Sequence, residues 1–355
     1  MITQLNIKNF TAFPKADLQF GRHLNVIIGE NGTGKSHLLK LAYSILACLA
    51  RGEKESGSQT PTKAHFEIAL ANKLRNVFKP DDLGHLVRHH TSKTGAEVEC
   101  HFADGSLNTR FTMRPGTEST PEITRCPSAW LPHSQSSAFF PTHELLSISP
   151  GFVSLYETTH LQFPETWRDT CLLLGGPLVK GPREELAKEM LAPLEKALGG
   201  TVETDSAGRF YLHTKSRKLE MHLVAEGLRK LAMLAQLIAN GTFLGDGHLF
   251  WDEPESNLNP KIAKLIARTI LHMSKQNLQV FIATHSLFLM RELHILQQQE
   301  FSALDTRCFG LHLTPAGVSV QQGKTMDDIG QIAALDEDLQ QSARYIDTEE
   351  AQSAQ

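Results

Sequence analysis

The sequence predicts an α/β fold in which a mixed sheet is flanked by helices and an α+β subdomain is inserted into the chain. Short apolar runs of strand length occur at 24–28, 248–251 and 278–283, and each precedes a segment whose apolar residues have helical spacing. Between the first two of these units the pattern changes to short alternating runs around turn residues, which is typical of hairpins. Strand–helix units that repeat along a chain predict a layered α/β core.

The composition is that of a globular protein. The 355 residues are 41% hydrophobic and 21% charged, with a formal net charge of −4, and they suffice for one large domain or two ordinary ones. No apolar run is long enough to cross a bilayer and the N-terminus lacks a signal-peptide pattern, so we expect a cytoplasmic protein with no membrane partner. The five cysteines are far apart and form no C-x-x-C pair, which favours a reducing compartment over disulfides or a zinc site.

The N-terminal elements lead into the first apolar strand. Residues 5–13 and 16–20 alternate apolar and polar residues and predict two half-buried strands. The apolar segment 36–49 predicts a helix, and the polar, Pro- and Gly-bearing stretch 51–63 predicts a linker.

The stretch from 64 to about 219 has a mixed pattern. Two hairpins are predicted, around Asp104-Gly105 and around residues 205–208, because alternating runs flank turn residues there. The remaining predictions are helices at 68–78 and 183–198 and strand pieces at 130–131 and 138–140.

Regular structure returns after Leu223. Leu228, Leu231, Leu234 and Ile238 predict one apolar helix face, and Asn259-Pro260 predicts the cap and first position of the next helix. Ser286 predicts a cap for the helix that follows strand 278–283. The residues from 336 onward hold six acids and one base, and they predict a disordered, solvated tail.

A glycine-rich motif lies between the first apolar strand and its helix. It fits G-x-x-x-x-G-K-[ST] without mismatch and consists of Gly29, Glu30, Asn31, Gly32, Thr33, Gly34, Lys35 and Ser36. Its glycines allow backbone N–H groups to point at phosphate oxygens, and the N-terminal end of the following helix adds a favourable field. Lys35 would neutralise the β- and γ-phosphates and Ser36 would bind Mg²⁺. The motif therefore predicts a nucleoside triphosphate site.

Two adjacent carboxylates follow the strand at 248–251. Asp252 can hold Mg²⁺ together with Ser36. Glu253 can orient an attacking water and accept its proton. Phosphoryl transfer relies on positioning and charge neutralisation, so these groups with Lys35 account for most of the catalysis required.

Four motifs in order resemble those of the ABC-type ATPases: G-E-N-G-T-G-K-S, V-A-E-G-L-R-K-L, L-F-W-D-E-P-E-S-N-L-N-P and F-I-A-T-H-S. More narrowly, they resemble the non-transporter, AAA_21-like branch that contains the SMC, RecF and overcoming-lysogenization-defect (OLD) ATPases. The resemblance covers roughly residues 1–50 and 221–320. It implies a P-loop NTPase with ABC-ATPase head architecture, an inserted subdomain at 51–220, and a C-terminal segment at 321–355 with an acidic tail.

The resemblance also assigns roles to particular residues. It implies that Glu253 is the general base, Asp252 the magnesium ligand, and His285 the switch histidine that contacts the γ-phosphate. Residues 256–259 match the loop that crosses the dimer interface. Glu226 and Gly227 match the signature motif, which in this superfamily contacts the ATP of the partner subunit. Two ATP molecules would then lie between head-to-tail subunits of a dimer or higher oligomer.

Two features depart from the family pattern. Ala225 stands where the signature serine is expected and Glu226 where its first glycine is expected, and both changes should weaken ATP-driven closure unless Arg229 or Lys230 compensates. The Q-loop has no clear counterpart, and Gln135 and the segment 140–144 are alternative candidates.

The leading functional hypothesis is a nucleotide-driven switch that hydrolyses ATP and acts on a separate effector protein such as a nuclease or toxin, in anti-phage defence or DNA maintenance. The alternative is a RecF-like DNA-binding repair ATPase. DNA would then contact basic clusters at 215–218 or at Arg88, His89, His90 and Lys93. A nuclease is disfavoured because no acidic nuclease constellation is visible, and a transporter subunit because the signature is degenerate.

Overall fold

The computed structural model describes residues 1–88, 94–132, 135–159 and 161–353. The strands in chain order are β1 (Ile2–Phe10), β2 (Phe13–Gln19), β3 (Leu24–Gly29), β4 (Ala96–Phe102), β5 (Thr109–Met113), β6 (Glu122–Arg125), β7 (Ser136–Phe140), β8 (Gly200–Thr204), β9 (Phe210–Thr214), β10 (Lys218–Glu220), β11 (Gly247–Asp252), β12 (Leu278–Thr284), β13 (Thr306–Thr314) and β14 (Gly317–Gly323). The α-helices are α1 (Lys35–Ser56), α2 (Lys63–Phe78), α3 (Ser149–Thr158), α4 (Glu165–Leu174), α5 (Pro182–Leu198), α6 (Glu226–Ala239), α7 (Pro260–Lys275), α8 (Leu287–Gln299) and α9 (Ala333–Ser353).

The central sheet has the strand order β14-β13-β3-β12-β11-β7 within the described residues. All neighbours are parallel except β13 and β14, which form an antiparallel pair. Every residue of β3, β11 and β12 is buried, as expected for parallel strands that are covered on both faces. The sheet is therefore mixed and flanked by helices, as predicted.

Alternate residues of these strands belong to two different hydrophobic cores. On one face, Val280 and Ile282 pack in a core with α6, α7 and α8. On the other face, Phe281 and Ala283 pack in a core with α1 and α2. Successive side chains of a strand point to opposite faces, so a short apolar run contributes to both layers.

A second, antiparallel sheet has the order β2-β1-β4-β5-β6. Gln279 of β12 joins it to the central sheet, because its side-chain nitrogen donates to the carbonyls of Ile2 (2.8 Å) and Gly21 (2.9 Å). The Ile2 amide donates in turn to the Gln279 side-chain oxygen at 2.9 Å. Gln279 is fully buried, and these bonds satisfy its polar atoms.

Both predicted hairpins are present, as the antiparallel pairs β4–β5 and β8–β9. The helix predicted at 183–198 is α5, and the caps predicted at Asn259 and Ser286 are confirmed because both side chains accept a hydrogen bond from the first turn of their helix. The helix predicted at 68–78 begins earlier, at Lys63, where the Thr62 side chain caps it.

The linker predicted at 51–63 is wrong over its first part, because α1 continues to Ser56. Two tertiary contacts hold this extension. Arg51 donates to Asp169 of α4 at 2.7 Å, and the absence of a side chain at Gly52 leaves room for the Trp130 ring. Trp130 was predicted in a strand piece, but it lies outside the strands and donates instead to the carbonyl of Ser58 at 2.9 Å.

The acidic tail was predicted to be disordered, but residues 333–353 form α9. Three of its apolar side chains, Leu339, Tyr345 and Ile346, are exposed. The division into a core at 1–50 and 221–320, an insert at 51–220 and a segment at 321–355 stays a prediction. Hydrogen bonds cross its boundaries, since β4 pairs with β1 and β7 pairs with β11.

Within the described residues, no helix has both the length and the apolar character that a bilayer crossing requires.

Candidate functional site

The glycine-rich loop connects β3 to α1 at the carboxyl edge of the central sheet. Gly32 and Gly34 have φ angles of 83° and 85°, values that side chains other than glycine rarely adopt. A Cβ atom at Gly29 would lie 2.8 Å from the Thr33 hydroxyl oxygen and 2.9 Å from the Leu311 carbonyl. The loop conformation therefore depends on the glycines of the motif.

Lys35 lies across the inside of this loop. Its ammonium donates to the carbonyls of Gly29 (2.8 Å) and Glu30 (2.9 Å), and the Thr33 hydroxyl donates to the Glu30 carbonyl at 2.8 Å. Burial lowers the pKa of Lys35, and the nearby carboxylates of Glu253 and Asp252 oppose that shift. Gly34 stands at the N-cap of α1 without a capping side chain, so the first-turn N–H groups are available to an anion.

Asp252 ends β11 and lies beside this loop. In the parallel register it is opposite Ala283 of β12, which brings the carboxyl ends of β3, β12 and β11 to one edge. Burial raises the pKa of Asp252, while a hydrogen bond with the Ser36 side chain lowers it. The carboxylate oxygen Oδ1 of Asp252 is buried and has no hydrogen-bond partner among the described residues. The structure thus brings Ser36 and Asp252 together.

Glu253 and His285 meet at the same edge. The Glu253 backbone has a φ of 49°, and its amide donates to the Ala283 carbonyl at 2.9 Å. This bond extends the β11–β12 ladder by one residue and places the Glu253 carboxylate 3.1 Å from Nδ1 of His285. Both side chains are partly solvent-accessible, at 24% and 44%. A water molecule can therefore reach the carboxylate.

The residues present fit a nucleoside triphosphate with Mg²⁺. The orphaned Oδ1 of Asp252 and the Ser36 hydroxyl are hard oxygen ligands of the kind Mg²⁺ prefers. Among the described residues, no group of three or more His, Cys, Asp or Glu side chains is arranged around a common metal position. A magnesium ion here would therefore complete its coordination with phosphate oxygens and water, which is its usual mode in such sites.

The proposed signature residues contact the segment after Glu253, not the glycine-rich loop. Asn257 donates from its side chain to Glu226 at 3.0 Å. A Cβ atom at Gly227 would lie 2.8 Å from the Asn257 carbonyl, so this glycine permits close packing. The roles of Glu226 and Gly227 toward a partner's nucleotide stay predictions.

The two Q-loop candidates lie at opposite ends of β7. Gln135 precedes the strand, and the parallel register pairs Ser136 with Gly247 and Phe140 with Trp251. Gln135 is therefore about 16 Å from the carboxyl edge, at about 3.3 Å of rise per strand residue, and its candidacy is wrong. The segment 140–144 lies at the correct edge.

This segment is tied to α6 and to the turn that follows Glu253. Arg229 pairs with the nearly buried Glu144 at 2.9 Å. The Ser256 hydroxyl also donates to the Thr142 carbonyl at 3.2 Å.

Sequence reasoning did not predict the contacts that two residues, Lys230 and Glu255, make near the site. Lys230 is buried on α6 and bonds the segment 253–256. Glu255 accepts from the Thr284 hydroxyl at 2.6 Å, next to His285. Burial raises the pKa of the Glu255 carboxyl. The three acids of D-E-P-E occupy different environments, and the only sequence signal was their placement after a buried strand.

One described residue of each basic cluster, Lys218 and Arg88, has a partner within the chain. Lys218 lies 3.2 Å from Glu203 and 4.5 Å from the centre of the Tyr211 ring, so its charge is balanced locally. Arg88 donates to the Ala316 carbonyl at 2.8 Å. His89, His90 and Lys93 lie outside the described residues.

Two family profiles match the chain. The family described as "AAA domain, putative AbiEii toxin, Type IV TA system" (AAA_21) matches residues 128–291. A second, described as "AAA domain", matches residues 4–111.

Curated relatives match over short stretches. The chain is 26% identical over 123 residues to structural maintenance of chromosomes protein 6B of Arabidopsis thaliana, covering 32% of this chain and 12% of that protein. It is 28% identical over 97 residues to the DNA replication and repair protein RecF of Agathobacter rectalis, covering 27% of this chain and 25% of that protein. The chain thus spans a quarter or less of these relatives.

Solved structures match over nearly the full chain. An SMC head bound to the C-terminal winged-helix domain of ScpA matches with a TM-score of 0.56 and 15% identity, covering 92% of this chain and 98% of that one. The SMC head domain of Thermotoga maritima matches with a TM-score of 0.50 and 14% identity, covering 90% and 97%. At these identities the likeness concerns the fold, and it confirms the predicted head architecture. Taken together with the motifs and the family profiles, these matches support the resemblance of this chain to SMC- and RecF-like ABC-type ATPases.

Proposed function

We propose that the protein binds ATP with Mg²⁺ and hydrolyses it to ADP and phosphate. The observation that carries this proposal is the meeting of five side chains at one sheet edge. Lys35 lies inside the glycine-rich loop, the Ser36 side chain lies near the Asp252 carboxylate, and the Glu253 carboxylate lies beside His285.

Each residue has a task in such a reaction. The loop amides and Lys35 bind the β- and γ-phosphates. Bound Mg²⁺, held through Ser36 and Asp252, would supply charge neutralisation on the phosphates. The Glu253 carboxylate orients the attacking water and takes its proton, and His285 donates a hydrogen bond that fixes the γ-phosphate end of the site.

The direct test is phosphate release from ATP by the purified full chain. We expect turnover with Mg²⁺, none with excess chelator, and none in Lys35→Ala. Lys261→Ala, which changes an exposed lysine in the first turn of α7, serves as the control and should retain wild-type turnover. Equal turnover in wild type and Lys35→Ala would remove the proposal.

We further propose that ATP closes a head-to-tail dimer or larger assembly and that hydrolysis opens it. The head-like fold supports this reading, as does the contact of Glu226 and Gly227 with Asn257, which keeps the signature helix next to the loop expected at the interface. Ala225 and Glu226 lack the signature hydroxyl and glycine, so closure should be weak.

The output of such a switch would pass to a separate effector protein, such as a nuclease or toxin, in anti-phage defence or DNA maintenance. The description of the matched AAA_21 profile names a putative toxin, and one structural relative is an SMC head in complex with a partner domain of ScpA. All five cysteines are free, which supports a cytoplasmic location.

The second candidate is a RecF-like DNA-binding repair ATPase, which the RecF match favours. DNA affinity in the presence of ATP that falls steeply with salt would support it. Absence of DNA binding with ATP present would exclude it.

A further inference from the structure

Lys230 is a buried lysine beside the catalytic carboxylate. It lies on α6, four residues after the helix begins, and is 1% exposed. Its ammonium donates to the Glu253 carbonyl (3.2 Å), the Ser256 carbonyl (3.0 Å) and the Ser256 hydroxyl (2.5 Å). A lysine ammonium has three N–H donors. The three hydrogen bonds therefore use all of these donors on the segment 253–256.

That segment, residues 253–257, is a strained turn. Glu253 and Asn257 have φ angles of 49° and 61°, in the left-handed region that is costly for residues with side chains. Strained backbone of this kind persists where the surroundings over-determine it. The bonds from Lys230 fall between the two strained residues, and Gly227 packs on the Asn257 carbonyl from one turn earlier on the same helix.

The charge of Lys230 is balanced locally. Burial lowers its pKa to about 8, and the carboxylates of Glu255, Glu226 and Glu253 oppose the shift. Placing an ammonium inside a helix–sheet interface costs free energy that an apolar residue would avoid. Most other buried residues of α6 are apolar, so stability alone does not explain a lysine here.

We propose that Lys230 is a positioning residue for hydrolysis: it holds the 253–257 turn so that the Glu253 carboxylate faces His285 and the attacking water. This inference rests on the proposed ATPase function. The ammonium bonds backbone and Ser256, not substrate, so its loss should affect the catalytic step more than ATP binding. Because Ser256 also donates to Thr142, the same lysine links the turn to the loop after β7.

The test compares Lys230→Met, Lys230→Arg and Ser256→Ala with wild type in the full chain, measuring kcat and ATP affinity separately. For Lys230→Met we expect kcat to fall about tenfold or more and the Kd for ATP to stay within about twofold, the pattern of a lost transition-state interaction. Lys230→Arg retains charge and donors and should recover part of kcat. Ser256→Ala removes one acceptor without removing the lysine and should reduce kcat by about threefold.

A structural control separates positioning from general destabilisation. Lys73→Met removes another buried lysine, whose ammonium lies 2.6 Å from the Asp169 carboxylate and does not contact the candidate site residues that the structure describes. This variant should have lower stability but an unchanged kcat in the folded protein. Wild-type kcat in Lys230→Met, or in Ser256→Ala if the first variant does not fold, would overturn the inference.

Amide hydrogen exchange provides a readout independent of turnover. The Ser256 and Leu258 amides bond within the turn, to the carbonyls of Glu253 and Glu255. They should exchange faster in Lys230→Met and Ser256→Ala without nucleotide. Unchanged exchange would refute the proposal that Lys230 holds the 253–257 turn. A wild-type protein without ATPase activity would instead refute the proposed function. Faster exchange in the variants would then still show that Lys230 holds the 253–257 turn.

Discussion

Nδ1 of His285 lies 3.1 Å from Oε1 of Glu253, although 31 residues of chain separate them. The contact arises because β11 and β12 are parallel neighbours in register, so that both strands deliver their next residues to the same edge.

Glu253→Gln should bind ATP with an affinity within about twofold of wild type but lose the proton acceptor. We expect ATP hydrolysis to fall by at least about 100-fold, the usual contribution of a general base. With ATP, the variant should accumulate as a dimer or larger assembly, measured by light scattering after size exclusion. The ATP-free variant is the control, and wild-type turnover in the variant would contradict the assignment.

His285→Ala should reduce kcat by about 10- to 100-fold, because it removes a donor aimed at the reacting end of the site. ATP affinity should change less than kcat, since the glycine-rich loop and Lys35 are intact. The measurement is steady-state hydrolysis together with equilibrium binding of ATP. A variant that loses ATP binding but keeps kcat would show that His285 contributes to ATP binding and not to the catalytic step.

Lys35→Met should weaken ATP binding by about tenfold or more, because a cation that contacts the phosphates is lost. Isothermal titration of ATP into the variant measures this effect. The folded structure should survive, since among the described residues the Lys35 ammonium donates hydrogen bonds only to carbonyls of its own loop, at Gly29 and Glu30. Tight ATP binding in a folded Lys35→Met protein would show that the phosphates of ATP do not bind beside Lys35.

Ala225→Ser combined with Glu226→Gln should strengthen ATP-dependent assembly. The serine restores a hydroxyl, and glutamine removes a negative charge while retaining an acceptor for Asn257. In a Glu253→Gln background we expect the dimer dissociation constant with ATP to fall about tenfold, a change of about 1.4 kcal/mol. Unchanged assembly would indicate that these two positions do not face nucleotide in the dimer.

His248→Leu should stabilise the protein at acid pH. His248 is fully buried, its ring nitrogens have no hydrogen-bond partner among the described residues, and burial lowers its pKa to about 3. Below pH 6.5 the unfolded chain takes up a proton that the folded state does not, so the stability of wild type falls as pH drops from about 6.5 toward 3.

Between pH 8 and pH 5 the stability of the variant relative to wild type should therefore rise by about 2 kcal/mol, measured by urea unfolding at both values. The value at pH 8 is the control, since both chains are neutral at this position there. An equal difference at the two pH values would show that His248 is protonated in the folded state.

The sequence by itself pointed to the local parts of the candidate site. The loop from Gly29 to Ser36 and the pair Asp252-Glu253 were identified because their chemistry depends on residues adjacent in the chain, flanked by a buried strand and a helix. The α/β class and the caps at Asn259 and Ser286 were predictable for the same reason. The hydrophobic period, the turn residues and the helix caps each depend on residues that are only a few positions apart, so they can be recognised in the sequence.

Tertiary structure alone decided which distant residues meet. The register of β7 against β11 brings the segment after Phe140 to the site and Gln135 to the far end. Lys230 is buried because the 253–257 turn offers it three acceptors, and α1 extends past Leu49 because Arg51 meets Asp169. These outcomes depend on strand pairing and on the partners that burial requires for polar groups. Neither is encoded within a short window of sequence.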